Sequence, residues 1–500
     1  MNRTPPAPMS RQEQRLLWIL IGLATLVFLF FSLGWPVAPG RVYRNYLEHY
    51  YGLPTFDTFA RSVGASYVLG WISQLPASGM EVAMLLLYLV HLLATYHTAR
   101  LFGVGIAQIV TLVMIFHTTL LANFHSLNHA PLTALAVSLW SVALVRLFRT
   151  QSKAGLFFLG LVTFMPVLMR QTPMALLLTL VFPVVCFGLS RQTLTRSAIL
   201  GAGFLVGLTG LLIYHHQAFN VWKLSSKTNL QVPVVHVLFA SPKLAPEHGP
   251  KNRELLRLVQ DELLSLEEYQ KSGVTLRHFT TGPMSMNQYT DLIYLNHRHP
   301  GVLTEAVSEA IRARPLAFAG SLLTMTWNMY TTNPALWPPS SQPRAEKAPD
   351  DPPASELARL RAAYPEQNKS DLARIMIDQA FPIPTQAQKE AVADQIARIK
   401  EKFTRSGDYH AAFVVISFLQ KIVPPMLLFL ILTPFLLPGM RSPEIRLLVV
   451  MLIPIILLIF MSGLFAPDPE LRAPFDFLII LGGVVGAREL AARALAWGTR

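Results

Sequence analysis

Long apolar stretches constrain this chain more than any other feature. The first, RLLWILIGLATLVFLFFSLGW at residues 15–35, carries no charge after its opening arginine. A helix needs roughly 20 apolar residues to cross the hydrocarbon core of a bilayer. Because stretches of this kind recur along the 500 residues, the sequence predicts an α-helical polytopic membrane protein.

The composition agrees with this class. Hydrophobic residues make up 52% of the chain and charged residues 14%, whereas soluble domains are about a quarter charged. A net charge of +13 would favour a nucleic-acid partner in a soluble protein. In a membrane protein, arginines in cytoplasmic loops that meet anionic membrane lipid explain it, so we expect no nucleic-acid partner. The lone Cys186 excludes a disulfide within the chain.

We count about ten transmembrane helices, with an N-terminal stretch too apolar and too long for a typical cleaved signal peptide. If the N-terminus lies inside, every inner loop contains arginine, so both termini are predicted to be cytoplasmic. The predicted spans are 16–35, 79–98, 104–122, 130–148, 155–169, 173–190, 197–216, 412–437, 446–465 and 474–492.

This topology divides the chain into three parts. Residues 1–216 form a seven-span module with a first outer loop at 36–78, and residues 412–500 form a three-span module. Residues 217–411 form an outer, periplasmic domain. Stretches such as RELLRLVQDELLSLEEYQK and TQAQKEAVADQIARIKEKF have apolar residues at helical spacing, so this domain is predicted to be mostly helical. Pro315 should break one of its helices.

The first outer loop contains YYGLPTFDTFARS, with an acid, Asp57, among aromatic residues. Asp57 is either a solvated loop acid or a general base that deprotonates a hydroxyl acceptor. Glu48 could supply a second carboxylate. Arg61 could keep these acids ionised or bind a phosphate.

Two further outer stretches carry arginines. Arg170, in VLMRQTPMALLL, is either a snorkelling residue at the membrane edge or a bidentate ligand for a lipid phosphate. Glu470 and Arg472 precede the last predicted span, and Asp476 lies about a turn inside it. Ionisable groups at such depth are costly and often functional, although an interfacial ion pair is equally compatible with the pattern.

Polar residues of two other stretches allow several roles. Asn128 and His129 begin the fourth span and could bind a sugar, or Asn128 could cap the helix. In YLNHRHPG, His297 and His299 lack a third ligand nearby in sequence, so we expect no metal. No Walker loop, HExxH or GxSxG motif is present, which leaves soluble nucleotide-driven chemistry without support.

Several motifs together resemble a known family. They are PTFDTFARS in the first outer loop, ATYHTARLFG, NHAPLTALAVSLWSVALVRLF, VLMRQTPMALLL and, near the end, ELRAPFDFLIILGG. In this order the chain resembles membrane glycosyltransferases of the GT-C superfamily, in particular relatives of protein mannosyltransferases and lipid A aminoarabinose transferases. The resemblance covers the first 220 residues in order and the last 90 loosely.

The resemblance implies sugar transfer from a polyprenyl- or dolichyl-phosphate carrier, without a cofactor. Asp57 would be the catalytic base, Arg170 would contact the lipid phosphate and Arg472 would assist it. The chain departs from the family pattern in three places. Thr58 follows Asp57 where many relatives have a second acid, Asn128 and His129 stand where many have an acid, and Arg170 replaces the usual lysine.

The leading prediction is therefore a glycosyltransferase of the bacterial inner membrane. It would act on the periplasmic face and transfer a sugar to a hydroxyl of a lipid, glycan or protein acceptor. One alternative is a polysaccharide ligase or polymerase with a polyprenyl-diphosphate donor, which would depend on His297, Arg298 and His299. Another is a non-catalytic membrane protein of envelope assembly.

Overall fold

A computed structural model describes residues 8–40, 43–53, 61–150, 152–170, 172–222, 224, 231–282, 284–331, 384–402, 425–463 and 472–498. Its regular secondary structure is helical apart from two strands of two residues each, β1 and β2. Asp57 and Glu470 lie outside the described residues, and the predictions made for them stay predictions.

The membrane-facing part of the chain is built from apolar helices at the predicted positions. Strands β1 and β2 pair in parallel, with Ala38 opposite Ser126. The elements in the first half of the chain are α1 (Arg11–Gly34), β1 (Ala38–Pro39), α2 (Tyr43–Tyr50), α3 (Val63–Gln74), α4 (Ala77–Ala99), α5 (Val104–Ile115), α6 (Thr118–Phe124), β2 (Ser126–Leu127), α7 (His129–Thr150), α8 (Lys153–Met169), a 3₁₀ segment (Thr172–Val181), α9 (Phe182–Phe187) and α10 (Arg191–Phe219).

The outer helices and the C-terminal helices follow. Pro315 begins a new helix, as predicted, because its ring cannot continue the preceding one. The elements are α11 (Gln231–Phe239), α12 (Pro250–Leu258), a π turn (Val259–Leu263), α13 (Glu267–Ser272), α14 (Leu276–Thr280), α15 (Met286–Arg298), α16 (Val302–Ala313), α17 (Pro315–Thr331), α18 (Gln386–Glu401), α19 (Pro425–Leu432), a 3₁₀ segment (Thr433–Gly439), α20 (Pro443–Gly463) and α21 (Asp476–Gly498).

The number of membrane spans stays a prediction. Four described helices are long and apolar enough to cross a bilayer. They are Arg11–Gly34, Ala77–Phe102 (α4 with the 3₁₀ turn Arg100–Phe102 that continues it), His129–Thr150 and Arg191–Phe219. The third predicted span, at 104–122, is not one straight helix. It bends by 64° between α5 and α6, so this pair forms either a fifth, broken span or a re-entrant loop. The side chain of His117 caps α6 by accepting from the Leu120 N–H, which fixes the new helix start.

Among the hydrophobic clusters of the described residues, two are large. The larger joins the N-terminal helices to α20 and α21, so the C-terminal helices pack into the same core as the first seven predicted spans. The smaller lies within residues 234–310 of the outer domain. Helix α18, predicted as part of that domain, instead buries Val392, Ile396 and Ile399 in the larger cluster. The Lys402 ammonium, just after α18, donates to the Ser73 carbonyl at the end of α3 at 3.0 Å.

Helices α8 and α10 approach each other closely. A Cβ on Gly160 would lie 2.1 Å from the Leu200 carbonyl oxygen, and one on Gly203 would lie 2.1 Å from that of Phe157. Only glycine permits this separation, a device that membrane helices use to pack in the absence of water. The contact fixes the direction of α8, whose last residue precedes Arg170.

Candidate functional site

The first outer segment folds onto the bundle through the short helix α2. Five of its eight residues are buried: Tyr43, Tyr46, Leu47, Glu48 and His49. Tyr43 reaches α3 and hydrogen-bonds to the Ser73 hydroxyl. Burial of hydroxyls and an imidazole requires partners for them, and those partners lie on α3, α8 and α10.

Tyr46 connects the two arginines predicted at 61 and 170. Its side chain is 3% exposed and lies beside the Ser62 hydroxyl. The Ser62 hydroxyl donates to the Met169 carbonyl, 2.5 Å away. Ser62 follows Arg61 and Met169 precedes Arg170 in the chain, so this hydrogen-bonded path brings the two arginines to the same place.

The positive charges of both arginines act on the Tyr46 hydroxyl. Burial raises the pKa of Tyr46 to about 12, and the positive charges of Arg61 and then Arg170 oppose that rise. The Arg61 Nε is buried and has no hydrogen-bond partner among the described residues. The ring of His129 lies 6.1 Å from that of Tyr46. Two cations and an imidazole around one phenol make an environment suited to an anion.

Glu48, predicted as a second carboxylate of the site, lies on the same helix. The Nε of Arg44 donates to its carboxylate at 2.7 Å. The pair is four residues apart on α2, and Arg44 is mostly exposed while Glu48 is buried. Glu48 is thus paired with Arg44, and the role of Glu48 toward a substrate stays a prediction.

His49 is a buried residue that the sequence reasoning missed. Ser66 donates to the Ser62 carbonyl, so it accepts from the His49 Nδ1 at 3.2 Å. The Nε2 is hydrogen-bonded to the Tyr214 hydroxyl at 2.9 Å. This path ties α2 to α3 and α10 beside the path through Tyr46. The sequence carries no signal for it, because Tyr214 is 165 residues from His49.

Asn128 caps α7, one of the two roles left open by the sequence. Its side-chain oxygen accepts from the Ala130 N–H at 2.7 Å, and its amide nitrogen donates to the Ser126 hydroxyl. The cap fixes the first residue of the helix, His129, next to Tyr46. Direct binding of a sugar by Asn128 or His129 stays a prediction.

Arg472 lies in a buried ionic cluster. It is 2% exposed, and its Nε donates to the Asp476 carboxylate at 3.0 Å. The other oxygen of Asp476 lies 3.1 Å from the His117 Nε2. The cluster joins the start of α21 to the bend between α5 and α6. Because Arg472 is paired with Asp476 inside the protein, a structural role is favoured. Assistance of Arg472 to a lipid phosphate stays a prediction.

The outer-domain residues of the alternative ligase prediction bind a nearby acid. Arg298 and His299 both contact the Glu262 carboxylate, at 3.1 Å and 2.8 Å. Glu262 lies on the π turn, so the two contacts hold the end of α15 against it. Within the described ranges, no group of three or more His, Cys, Asp and Glu side chains is placed to hold a metal ion.

Comparisons with known proteins give one structural likeness. No family model matches the chain, and no curated protein matches it by sequence. The chain is similar to the crystal structure of ArnT from Cupriavidus metallidurans bound to undecaprenyl phosphate, with 13% identity and a TM-score of 0.33. The match covers 94% of this chain and 77% of the other. At this TM-score the likeness carries no argument about activity.

Proposed function

We propose that the protein is a GT-C-type glycosyltransferase that moves a sugar from a polyprenyl-phosphate carrier to an acceptor hydroxyl. The observation that carries the proposal is the hydrogen bond from Ser62 to the Met169 carbonyl, which brings the neighbouring residues Arg61 and Arg170 together beside the buried Tyr46. These arginines come from two segments over a hundred residues apart, and phosphate binding is one of the two roles that the sequence allows for each.

A lipid phosphate is a good leaving group, so the protein must do two things. It must neutralise the phosphate charge that develops as the sugar departs, and it must deprotonate the acceptor. Guanidiniums suit the first task because they bind phosphate oxygens through parallel N–H donors. Arg61 and Arg170 would perform it, with Arg472 in support.

Asp57 would perform the second task. It lies four residues before Arg61 in the chain. The acceptor oxygen would attack the anomeric carbon as the bond from that carbon to the phosphate oxygen breaks. The hydroxyl proton would pass to Asp57 and the electron pair to the phosphate, in a single displacement that inverts the anomeric centre. Glu48, Asn128, His129 and Glu470 would line the sugar and acceptor positions.

The transfer would take place on the periplasmic face of a bacterial inner membrane. The ligase alternative loses support because Arg298 and His299 are engaged with Glu262. An envelope-assembly protein without catalysis has no need to bring two arginines to a buried phenol.

The test compares a deletion strain with strains that express wild type, Asp57→Asn or Glu267→Gln at matched membrane levels. Glu267 is an exposed acid paired with Lys271 on the outer domain, which makes it a control for the loss of one carboxylate. Mass spectrometry of lipids and surface glycans measures the transferred sugar. We expect the same sugar mass to be lost in the deletion strain and in Asp57→Asn, and kept in Glu267→Gln.

A deletion strain that loses no sugar from lipid, glycan or protein would refute glycosyl transfer. If the deletion strain loses a sugar while Asp57→Asn keeps it, Asp57 is not the base. Loss in His299→Ala, with Asp57→Asn unaffected, would favour the ligase.

A further inference from the structure

Helix α17 of the outer domain leaves a stripe of large apolar side chains uncovered. Leu316, Leu323 and Trp327 are 87%, 64% and 54% exposed. With 3.6 residues per turn, these three positions fall within roughly 40° of one another around the helix. The 17 residues of α17 include no acidic, basic or histidine side chain. The stripe therefore lacks the charged groups that a water-facing helix surface normally carries.

The preceding helix of the same domain exposes charge instead. Helix α16 turns its apolar side chains inward, among them Val302, Ala306 and Val307. Its exposed side carries Glu305 and Arg312. The two helices are separated by one residue in the chain, so the contrast indicates that the outward faces of α16 and α17 meet different surroundings. An exposed apolar patch such as the α17 stripe marks a surface at which the protein contacts something apolar.

The opposite side of α17 packs on the protein and fixes the direction of the stripe. Phe318 packs against the smaller hydrophobic cluster, and its ring meets that of His236 edge-on at 5.1 Å between centroids. Leu322, four residues later, is 8% exposed. These two positions lie about 200° and 240° around the helix from Leu316. The stripe thus points away from the core of the outer domain.

The helices beside α17 indicate what covers the stripe. Helix α17 packs against α19 and α20, which lie in two predicted membrane spans and also expose apolar side chains, such as Leu428 and Ile456. In a membrane helix such side chains face lipid. The α17 stripe therefore lies next to a lipid-facing surface.

The charge at the start of α17 fits the same surroundings. Arg312 and Arg314 directly precede the helix and are exposed, with Arg314 3.8 Å from the Glu247 carboxylate. Arginines at such a position can reach lipid phosphates while neighbouring apolar residues enter the hydrocarbon. Tryptophan, here Trp327, is enriched at the boundary between the two.

We propose that α17 binds the lipid bilayer through this stripe. Leu316, Leu323 and Trp327 would lie among the acyl chains of the leaflet on the side of the outer domain, with Arg312 and Arg314 at its phosphate headgroups. At 17 residues, α17 is shorter than the roughly 20 that a span requires, so it enters this leaflet without crossing the membrane. Through Phe318, the same helix holds the outer domain to the membrane surface. The proposal does not depend on sugar transfer.

The test is spin-label accessibility in vesicles of phosphatidylethanolamine and phosphatidylglycerol. The buried Cys186 is replaced by alanine, and one cysteine is introduced and labelled in Leu323→Cys, Leu428→Cys or Glu267→Cys. Leu428 is the lipid-facing control on α19, and Glu267 is an exposed acid on the water-facing side of the outer domain. Oxygen concentrates in lipid and a nickel chelate in water. The ratio of oxygen to nickel accessibility at position 323 should match that at 428 and exceed that at 267 several-fold.

Three results would overturn the proposal. A ratio at position 323 equal to that at 267 would show a hydrated stripe. Low accessibility to both reagents, with spin–spin broadening between labels, would show that a second copy of the chain covers it. Low accessibility without broadening would show that another protein segment does.

A second measurement uses the wild-type chain, so it does not depend on the folding of any variant. Vesicles that contain a phospholipid with a photoreactive diazirine in its acyl chain are irradiated, and the adducts are located by mass spectrometry. We expect adducts within residues 315–327 and none on α16, which precedes them. Vesicles in which α19 and α20 acquire adducts but residues 315–327 do not would refute contact of the stripe with lipid.

Discussion

The two ends of the helical bundle use arginine differently. At the end that holds the start of α1, arginines meet an acid or a helix terminus. The Arg100 Nε donates to Glu13 at 2.5 Å, and Tyr96 donates to the same carboxylate. Arg488 and Arg493 donate to the Phe102 and Phe435 carbonyls. Positive side chains there satisfy carbonyls that helices leave unpaired at their ends.

At the opposite end, Arg61 and Arg170 approach one buried phenol. Two positive charges held close together repel each other unless an anion joins them, and we propose that the carrier phosphate is this anion. The arginines at the first end complete the fold, whereas Arg61 and Arg170 are proposed to bind the phosphate.

The largest expected effect comes from removing one arginine at the outer end. In Arg170→Met, sugar transfer should fall about 100- to 1,000-fold, because one charge that stabilises the departing phosphate is lost. Arg493→Met is the matched control, since it removes a guanidinium of the same length that donates to a backbone carbonyl. Transfer is measured in membranes by mass spectrometry of the product, per unit of folded protein.

The comparison breaks if the two variants lose transfer equally, because the arginines at the two ends would then be equivalent. A fall of sugar transfer in Arg493→Met alone would indicate that the anion binds at the end that holds the start of α1, which contradicts the proposal. Arg170→Lys sharpens the result, since it retains the charge but loses the paired donors and should recover only part of the activity.

The sequence predicted the helices well where local rules decide the structure. Apolar length located the helices from α1 to α10 except α2 and α3, which lie in the predicted first outer loop. Pro315 marked a helix start, and Asn128 acts as a cap. Arg61 was singled out beside the acids of that loop, and Arg170 between two apolar runs. These features depend on residues within a few positions of one another, so they can be recognised in a single sequence.

Features that depend on distant partners were not predictable. The bend after Ile115 has no proline or glycine at the break, and it is stabilised by His117, which also contacts Asp476. Asp476 is 359 residues away, so no local pattern relates the two. Helix α18 was placed in the outer domain by chain order, but its apolar face is buried in the bundle. In the sequence, Tyr46 is one of several aromatic residues of the first predicted outer loop, and nothing local distinguishes it from the others.

A smaller effect is expected at the end that holds Glu13. Glu13→Gln removes the carboxylate that pairs with Arg100 and accepts from Tyr96. Breaking a buried pair costs several kcal/mol, and the partial exposure of Arg100 reduces this to about 2 kcal/mol. Thermal unfolding in detergent should show a lower midpoint, with transfer per folded molecule unchanged. Glu489→Gln, at a largely exposed pair with Arg488, should shift the midpoint much less, and an equal shift would contradict the distinction.

The smallest effect is expected for Tyr46→Phe, which keeps the ring and removes the hydroxyl beside Ser62. The loss of this buried polar contact should cost about 1 kcal/mol of stability, and transfer should fall because Arg61 and Arg170 are less well aligned. The fall should appear mainly in kcat, since both charges remain to bind the donor. Unchanged kcat at saturating donor would show that Tyr46 does not align the arginines.

The pH dependence of the same variant tests the environment of Tyr46 without any substrate. In the unfolded chain a tyrosine ionises near pH 10, whereas burial keeps Tyr46 protonated to about 12. Between these values the unfolded state loses a proton that the folded state retains, so folding weakens as the pH rises through this window. Tyr46→Phe has no proton to lose at this position, so its unfolding midpoint should decline less steeply than that of wild type. Parallel declines would show that Tyr46 ionises as freely as an exposed tyrosine, and the arginines would then lie around a hydrated phenol rather than a buried one.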